Sequence, residues 1–139
     1  AGDIVLGGGI SSGRGVRAAQ VLGANYAYMG TRFIATQESM AEPAYKQMVV
    51  EATGADIVCS AALTGVKANW LRASLVAAGY DPDNMPDGAK IDIAASTSDA
   101  KRWRDVWSAG QGVGAIRDIL PIAELVDRLE TEYRAACEG

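Results

Sequence analysis

The chain has 139 residues, 49% of them apolar, and 13 Lys and Arg against 17 Asp and Glu give a net charge of −4. This is the length of one domain with enough apolar residues for a core; with no basic run and no apolar stretch near the roughly 20 residues a membrane span needs, nucleic acid and membrane are excluded as main partners. There is no His, which removes the commonest general base and metal ligand, and the two widely separated cysteines, Cys59 and Cys137, make no disulfide framework, so a cytoplasmic location is the default.

In chain order, Asp3–Leu6 is predicted as a short buried strand, closed by Gly7-Gly8-Gly9. Ser11-Ser12-Gly13 is a turn and cap cluster. Gly15–Leu22 follows as a helix with Val16, Ala19 and Leu22 on one face, and Gly23 ends it. Asn25–Met29 is a second strand, closed by Gly30-Thr31. Strand, glycine loop, helix, strand and glycine loop make one βαβ unit, whose strands are expected to be parallel.

Ser39-Met40-Ala41-Glu42 has capping-box spacing, and Pro43 in the first turn suits a helix over Glu42–Ala52. Ala55–Ser60 is a strand candidate, with Cys59 expected to be a buried small hydrophobe. Asn69–Ala78 is predicted as a helix stopped by Gly79. Asp81-Pro82-Asp83-Asn84 and Pro86-Asp87-Gly88 carry turn chemistry. Asp99–Trp107 is expected as a short amphipathic helix and Ser108–Gly114 as a glycine-rich loop. Pro121 opens a closing helix, Ile122–Ala136, striped by Ile122, Leu125, Val126, Leu129 and Tyr133. Alternating strands and helices in the first 60 residues indicate an α/β fold; the remainder is expected to be mostly helical.

Chemistry concentrates in the two glycine loops. Each follows a predicted parallel strand, where glycine lets backbone N–H groups approach a ligand closely and a following helix N-terminus favours an anion. Two such turns on adjacent strands form a two-sided phosphate cradle, a feature that recurs after the last strands of (β/α)8 barrels. Tight turns with no ligand are the plainer alternative. A dinucleotide fingerprint started at Gly7 fails at Ser12. A P-loop started at Gly8 fails at Arg14, where Lys belongs, and at Gly15, where a hydroxyl belongs.

The run from Gly8-Gly9-Ile10 through Gly15, then Leu22-Gly23-Ala24, then Met29-Gly30-Thr31-Arg32-Phe33, resembles the nitronate monooxygenases, formerly called 2-nitropropane dioxygenases. FMN-dependent enoyl-acyl-carrier-protein reductases share much of it. Glu38-Ser39, Pro43-Ala44-Tyr45-Lys46, Leu63-Thr64-Gly65, Leu71-Arg72, the Ser108–Gly114 loop and the Pro121–Tyr133 segment continue the likeness in order.

The resemblance implies an FMN-binding (β/α)8 TIM barrel longer than this chain, which is then read as a C-terminal fragment. Residues 1–55 would carry the last two barrel strands, 56–120 an appended substrate or cap region, and 121–139 the closing helix. It further implies FMN phosphate contacts at Gly8, Gly9, Tyr28, Met29, Gly30 and Thr31; the family often has Gln where Tyr28 stands. The family's catalytic His would lie upstream of Ala1, so no catalytic residue is expected here.

The implied activity is oxidation of alkyl nitronates with O2, the partners being a small-molecule substrate and O2. Reduction of an enone or acyl thioester with NAD(P)H is the alternative, and a self-contained, non-catalytic phosphate-binding domain is a third reading. Arg14 and Arg32 flank the cradle and are expected in surface ion pairs more than on phosphate. Trp70, Trp103 and Trp107 are expected in the core, Gln111 near the flavin or in a purely structural loop, and Cys137 as an exposed thiol.

Overall fold

A computed structural model describes residues 2–85 and 106–138. It is mixed α/β and divides into two compact units, Ala1–Glu51 with Gly110–Gly139, and Ala52–Ala109.

The first unit opens with the expected order of elements, but its first strand is not buried as expected: Val5 is 59% exposed, since among the described residues that strand has a single neighbouring strand. Strand β1 (Val5–Gly7) runs parallel to β2 (Tyr26–Tyr28), with Val5 opposite Tyr26 and Gly7 opposite Tyr28. Between them lies helix α1 (Gly13–Val21), capped by Ser12. An element unforeseen from the sequence follows β2: the one-turn helix α2 (Thr31–Ile34) starts directly on the second glycine loop. Helix α3 (Pro43–Glu51) begins at its proline. Ser39 does not form the expected capping box, because its Oγ accepts from Ala41 N at 3.1 Å, a local turn. The expected late loop is in part regular, with a 3-10 turn over Gln111–Ala115. The closing helix (Ile122–Glu138), here α5, completes the unit and packs along α1.

That packing needs a glycine. A Cβ on Gly13 would run into Leu129 O and Tyr133 N of the closing helix. Glu132 seals the contact by accepting Gly13 N–H at 2.8 Å, and Tyr133 donates its hydroxyl to Gln20 at 2.7 Å. Ala19, Ala35, Val49, Val113, Ile116 and Leu125 form the buried interior of this unit.

In the second unit, a 3-10 turn (Gly54–Asp56) with a Thr53/Asp56 capping box leads into β3 (Ile57–Ser60). The helix expected over Asn69–Ala78 is corrected at its first turn. Ala68–Leu71 is strand β4, antiparallel to β3, with Val58 opposite Trp70; only Arg72–Ala77 is helical, as α4. A short apolar run does not distinguish strand from helix, and here pairing with β3 decides. Trp70, Leu63, Leu75 and Val106 form the core, and the Trp70 indole N–H donates to Ser60 O at 3.2 Å. Cys59 is exposed, contrary to its expected burial, because it points away from this core on a strand whose next residue, Ser60, is buried. Cys137 is an exposed free thiol, as expected. The Asp81–Asn84 turn forms, with Asn84 N donating to Asp81 O. Trp103, the Pro86-Asp87-Gly88 turn and most of the Asp99–Trp107 helix lie outside the described residues.

Candidate functional site

The turns that leave β1 and β2 meet in one cavity of about 140 Å³, well above the roughly 10–15 Å³ that a single water requires. Gly8, Gly9, Ile10 and Ser11 line it from the first loop, and Tyr28, Gly30 and Thr31 from the second. Five of the six residues marked from the sequence therefore share one space. Met29, the sixth, is half-buried and does not line it.

The geometry follows from residue type. Gly8 and Gly9 have φ of +91° and +70°, a left-handed region that disfavours side chains. A Cβ on Gly9 or Gly30 would meet no protein atom within 4 Å; it would stand in open space that the glycines leave clear. Tyr28 lies beside Gly7, where even a Cβ would stand in ordinary contact with it at 3.6 Å, and Tyr28 is largely exposed. Among the described residues no carboxylate lines the cavity.

Two expectations about the surroundings change. The helix α1 N-terminus is largely occupied: Gly13 N–H goes to Glu132 and Gly15 N–H to Ser12 Oγ at 3.2 Å. Arg32, expected in a surface pair, is 3% exposed. Its guanidinium bonds Asp118 Oδ1 at 2.8 Å and the carbonyls of Ala35 and Asp118 at 3.2 Å. Burial pulls its pKa below the ordinary arginine value, and Asp118 offsets part of that shift. The reason is positional. Arg32 sits on the face of α2 that packs inward, toward the chain leading into α5. Arg14 is exposed and does not line the cavity.

A third wall was not foreseen from the sequence. Gly110 and Gly112 line the cavity from the late glycine-rich loop, whereas the side chain singled out there, Gln111, is exposed and off the lining. The glycine richness was the available signal; it marked the loop without revealing that its backbone faces the site. Among the described residues no group of three or more His, Cys, Asp or Glu is placed to hold a metal, and no helix is long and apolar enough to cross a membrane.

Fold and cavity together define an α/β protein with a glycine-rich cavity at the ends of two parallel strands. The chain belongs to the nitronate monooxygenase family, whose pattern matches residues 3–132. It is similar to the nitronate monooxygenase of Paraburkholderia phytofirmans, 31% identical over 97% of this chain and 39% of that protein. With that of Pseudomonas aeruginosa it shares 34% identity over 94% of this chain and 39% of the other. Among solved structures, the nitroalkane oxidase from Streptomyces ansochromogenes superposes with a TM-score of 0.75 at 29% identity, over 98% of this chain and 40% of that one. FabK from Thermotoga maritima superposes with a TM-score of 0.74 at 26% identity, over 98% and 45%. The chain thus spans about two fifths of the length of the curated relatives it matches.

Proposed function

We propose that this chain is the phosphate-holding, C-terminal portion of a (β/α)8-barrel FMN enzyme that oxidises alkyl nitronates with O2. One observation carries the reading: the turns after two adjacent parallel strands open into a single glycine-rich cavity. β1 and β2 would be the last two barrel strands, and the unit over Ala52–Ala109 the appended region.

The residues fit the cofactor's phosphate. Gly8 and Gly9 on one side and Gly30 on the other bring main chain to the cavity without side chains in the way, and Thr31 borders it. Tyr28 stands at the rim. When bound, FMN supplies the electron transfer itself. The chain's own contribution is to hold one end of the cofactor in a fixed place, so that its ring is aimed at the substrate. This chain contains no His, so the proton-handling His that the resemblance implies is not among its residues.

The test uses the full-length protein: flavin content, then nitrite release and O2 uptake with a secondary alkyl nitronate. Nitronate turnover with bound FMN is expected. Gly9→Ala, which puts a methyl group into the cradle at a positive φ, is expected to weaken FMN binding about tenfold or more. The sequence resemblance extends to FMN-dependent enoyl reductases, and the likeness to FabK nearly equals that to nitroalkane oxidase. Enone reduction driven by NAD(P)H, with no nitronate turnover, would move the assignment to that reading. A protein that holds no flavin would reject both and leave a non-catalytic phosphate-binding domain.

A further inference from the structure

The cavity has a wall that the proposed function above leaves unused. Gly110 lies 79 positions along the chain from Thr31, yet the two are joined by a hydrogen bond of 2.8 Å, with Gly110 N–H donating to Thr31 Oγ1. On the opposite side, Ser11 Oγ donates to Gly112 O at 2.9 Å. Two hydroxyls therefore fasten one loop, in opposite senses.

The senses matter because a hydroxyl has one hydrogen and two lone pairs. Ser11 spends its hydrogen on the loop and is 8% exposed. Thr31 offers the loop a lone pair and keeps its hydrogen, which has no acceptor among the described residues. Thr31 also borders the cavity. Gly112, meanwhile, is pressed against the first loop: a Cβ there would overlap Ser11 Oγ and lie 3.0 and 3.1 Å from the carbonyl carbon and oxygen of Gly9.

We propose that Gly110–Gly112 is the third wall of the phosphate site and sets its preference for a phosphorylated over an unphosphorylated flavin. Gly110 fixes the Thr31 rotor, so its free hydrogen is aimed at the anion before the anion arrives. Ser11 and Gly112 hold the backbone of Gly9 in register on the other side. Thr31 is then the donor, and Ser11, Gly110 and Gly112 are positioning residues. A donor held in place beforehand loses no rotational freedom on binding, and a hydrogen bond to a charged acceptor is about twice as strong as a neutral one. Riboflavin carries no such acceptor and gains nothing from this wall. The proposal rests on the reading of the cavity as a phosphate site.

The experiment strips the full-length protein of flavin and titrates it separately with FMN and riboflavin, following quenching of flavin fluorescence. The wild type is expected to prefer FMN. Ser11→Ala is expected to weaken FMN about fivefold with riboflavin unchanged, and Thr31→Val about tenfold to a hundredfold, with Thr31→Ser restoring most of the loss. Equal losses for the two flavins would mean a merely structural loop and overturn the proposal. So would unchanged FMN affinity in both Ser11→Ala and Thr31→Val. A wild type that does not distinguish the two flavins takes down the phosphate reading itself, whereas a wild type that does, with variants that keep its ratio, takes down the third wall alone.

Discussion

Replacing Asp118 by asparagine tests the electrostatic joint behind the second loop. The Arg32 side chain is 4% exposed and that of Asp118 is 34% exposed. An arginine cannot shed its proton near neutral pH, so Asp118→Asn would leave a buried positive charge with only the main-chain carbonyls of positions 35 and 118 still accepting from it in full. Breaking a fully buried pair from one side costs about 3–5 kcal/mol. Water reaching the one-third exposed partner, and the two remaining carbonyls, reduce that to about 2–3 kcal/mol. Asp118 also pairs with Arg128 at 2.7 Å, but the Arg128 side chain is 44% exposed, and Arg128→Ala is expected to cost less than about 1 kcal/mol. Urea unfolding at pH 7, followed by tryptophan fluorescence, reads both. With a slope of about 1–3 kcal/mol per molar, Asp118→Asn should lower the midpoint by about 0.7–3 M. Equal shifts for the two variants, or a loss below about 0.5 kcal/mol for Asp118→Asn, would refute the view that neutralising the buried Arg32 charge is what makes Asp118 matter.

Two further outcomes follow from the packing and the caps. Gly13→Ala drives a methyl group into the backbone of α5 at Leu129 and Tyr133, so α1 and α5 must separate; thermal unfolding should show a loss of about 1–3 kcal/mol or more. The Asp56 carboxyl is held below its ordinary 3.8 first by Thr53 N–H and then by the Thr53 hydroxyl. A depressed carboxylate stabilises the fold above its unfolded-state pKa and loses that contribution as pH falls through its folded value. Asp56→Asn should therefore flatten the decline of stability below about pH 5 in a pH series of melts, and an unchanged slope would count against the cap.

The opening βαβ unit was legible because each of its signals is local. Apolar runs are punctuated by Gly7–Gly9, Gly23 and Gly30, and each element ends within a residue or two of its expected place. The closing helix was legible for the same reason, with Leu125 of its apolar stripe fully buried. What could not be read depends on partners far along the chain. Asn69-Trp70-Leu71 becomes a strand because Ile57–Ser60 lies beside it, and nothing within those residues announces that. Arg32 finds its carboxylate 86 positions away. The late loop is legible as glycine-rich, yet its facing is set by Ser11 and Thr31 far away in the chain, so Gly110 and Gly112 line the cavity and the Gln111 side chain does not.

The same long-range bonding closes off the helix end that the sequence offered. From the sequence, α1 offers the expected anion site, a helix N-terminus after three glycines. In the fold, Glu132 from α5 already supplies a carboxylate to Gly13 N–H, and Ser12 takes Gly15 N–H. An internal anion thus answers the helix dipole, and an external one would have to displace it. The cavity lies instead where Gly9 and Gly30 keep side chains out and where the Thr31 hydroxyl hydrogen has no acceptor among the described residues. Glu132 in this way does two things with one bond. It locks the closing helix onto α1, and it fills the start of α1 with a carboxylate from within the fold.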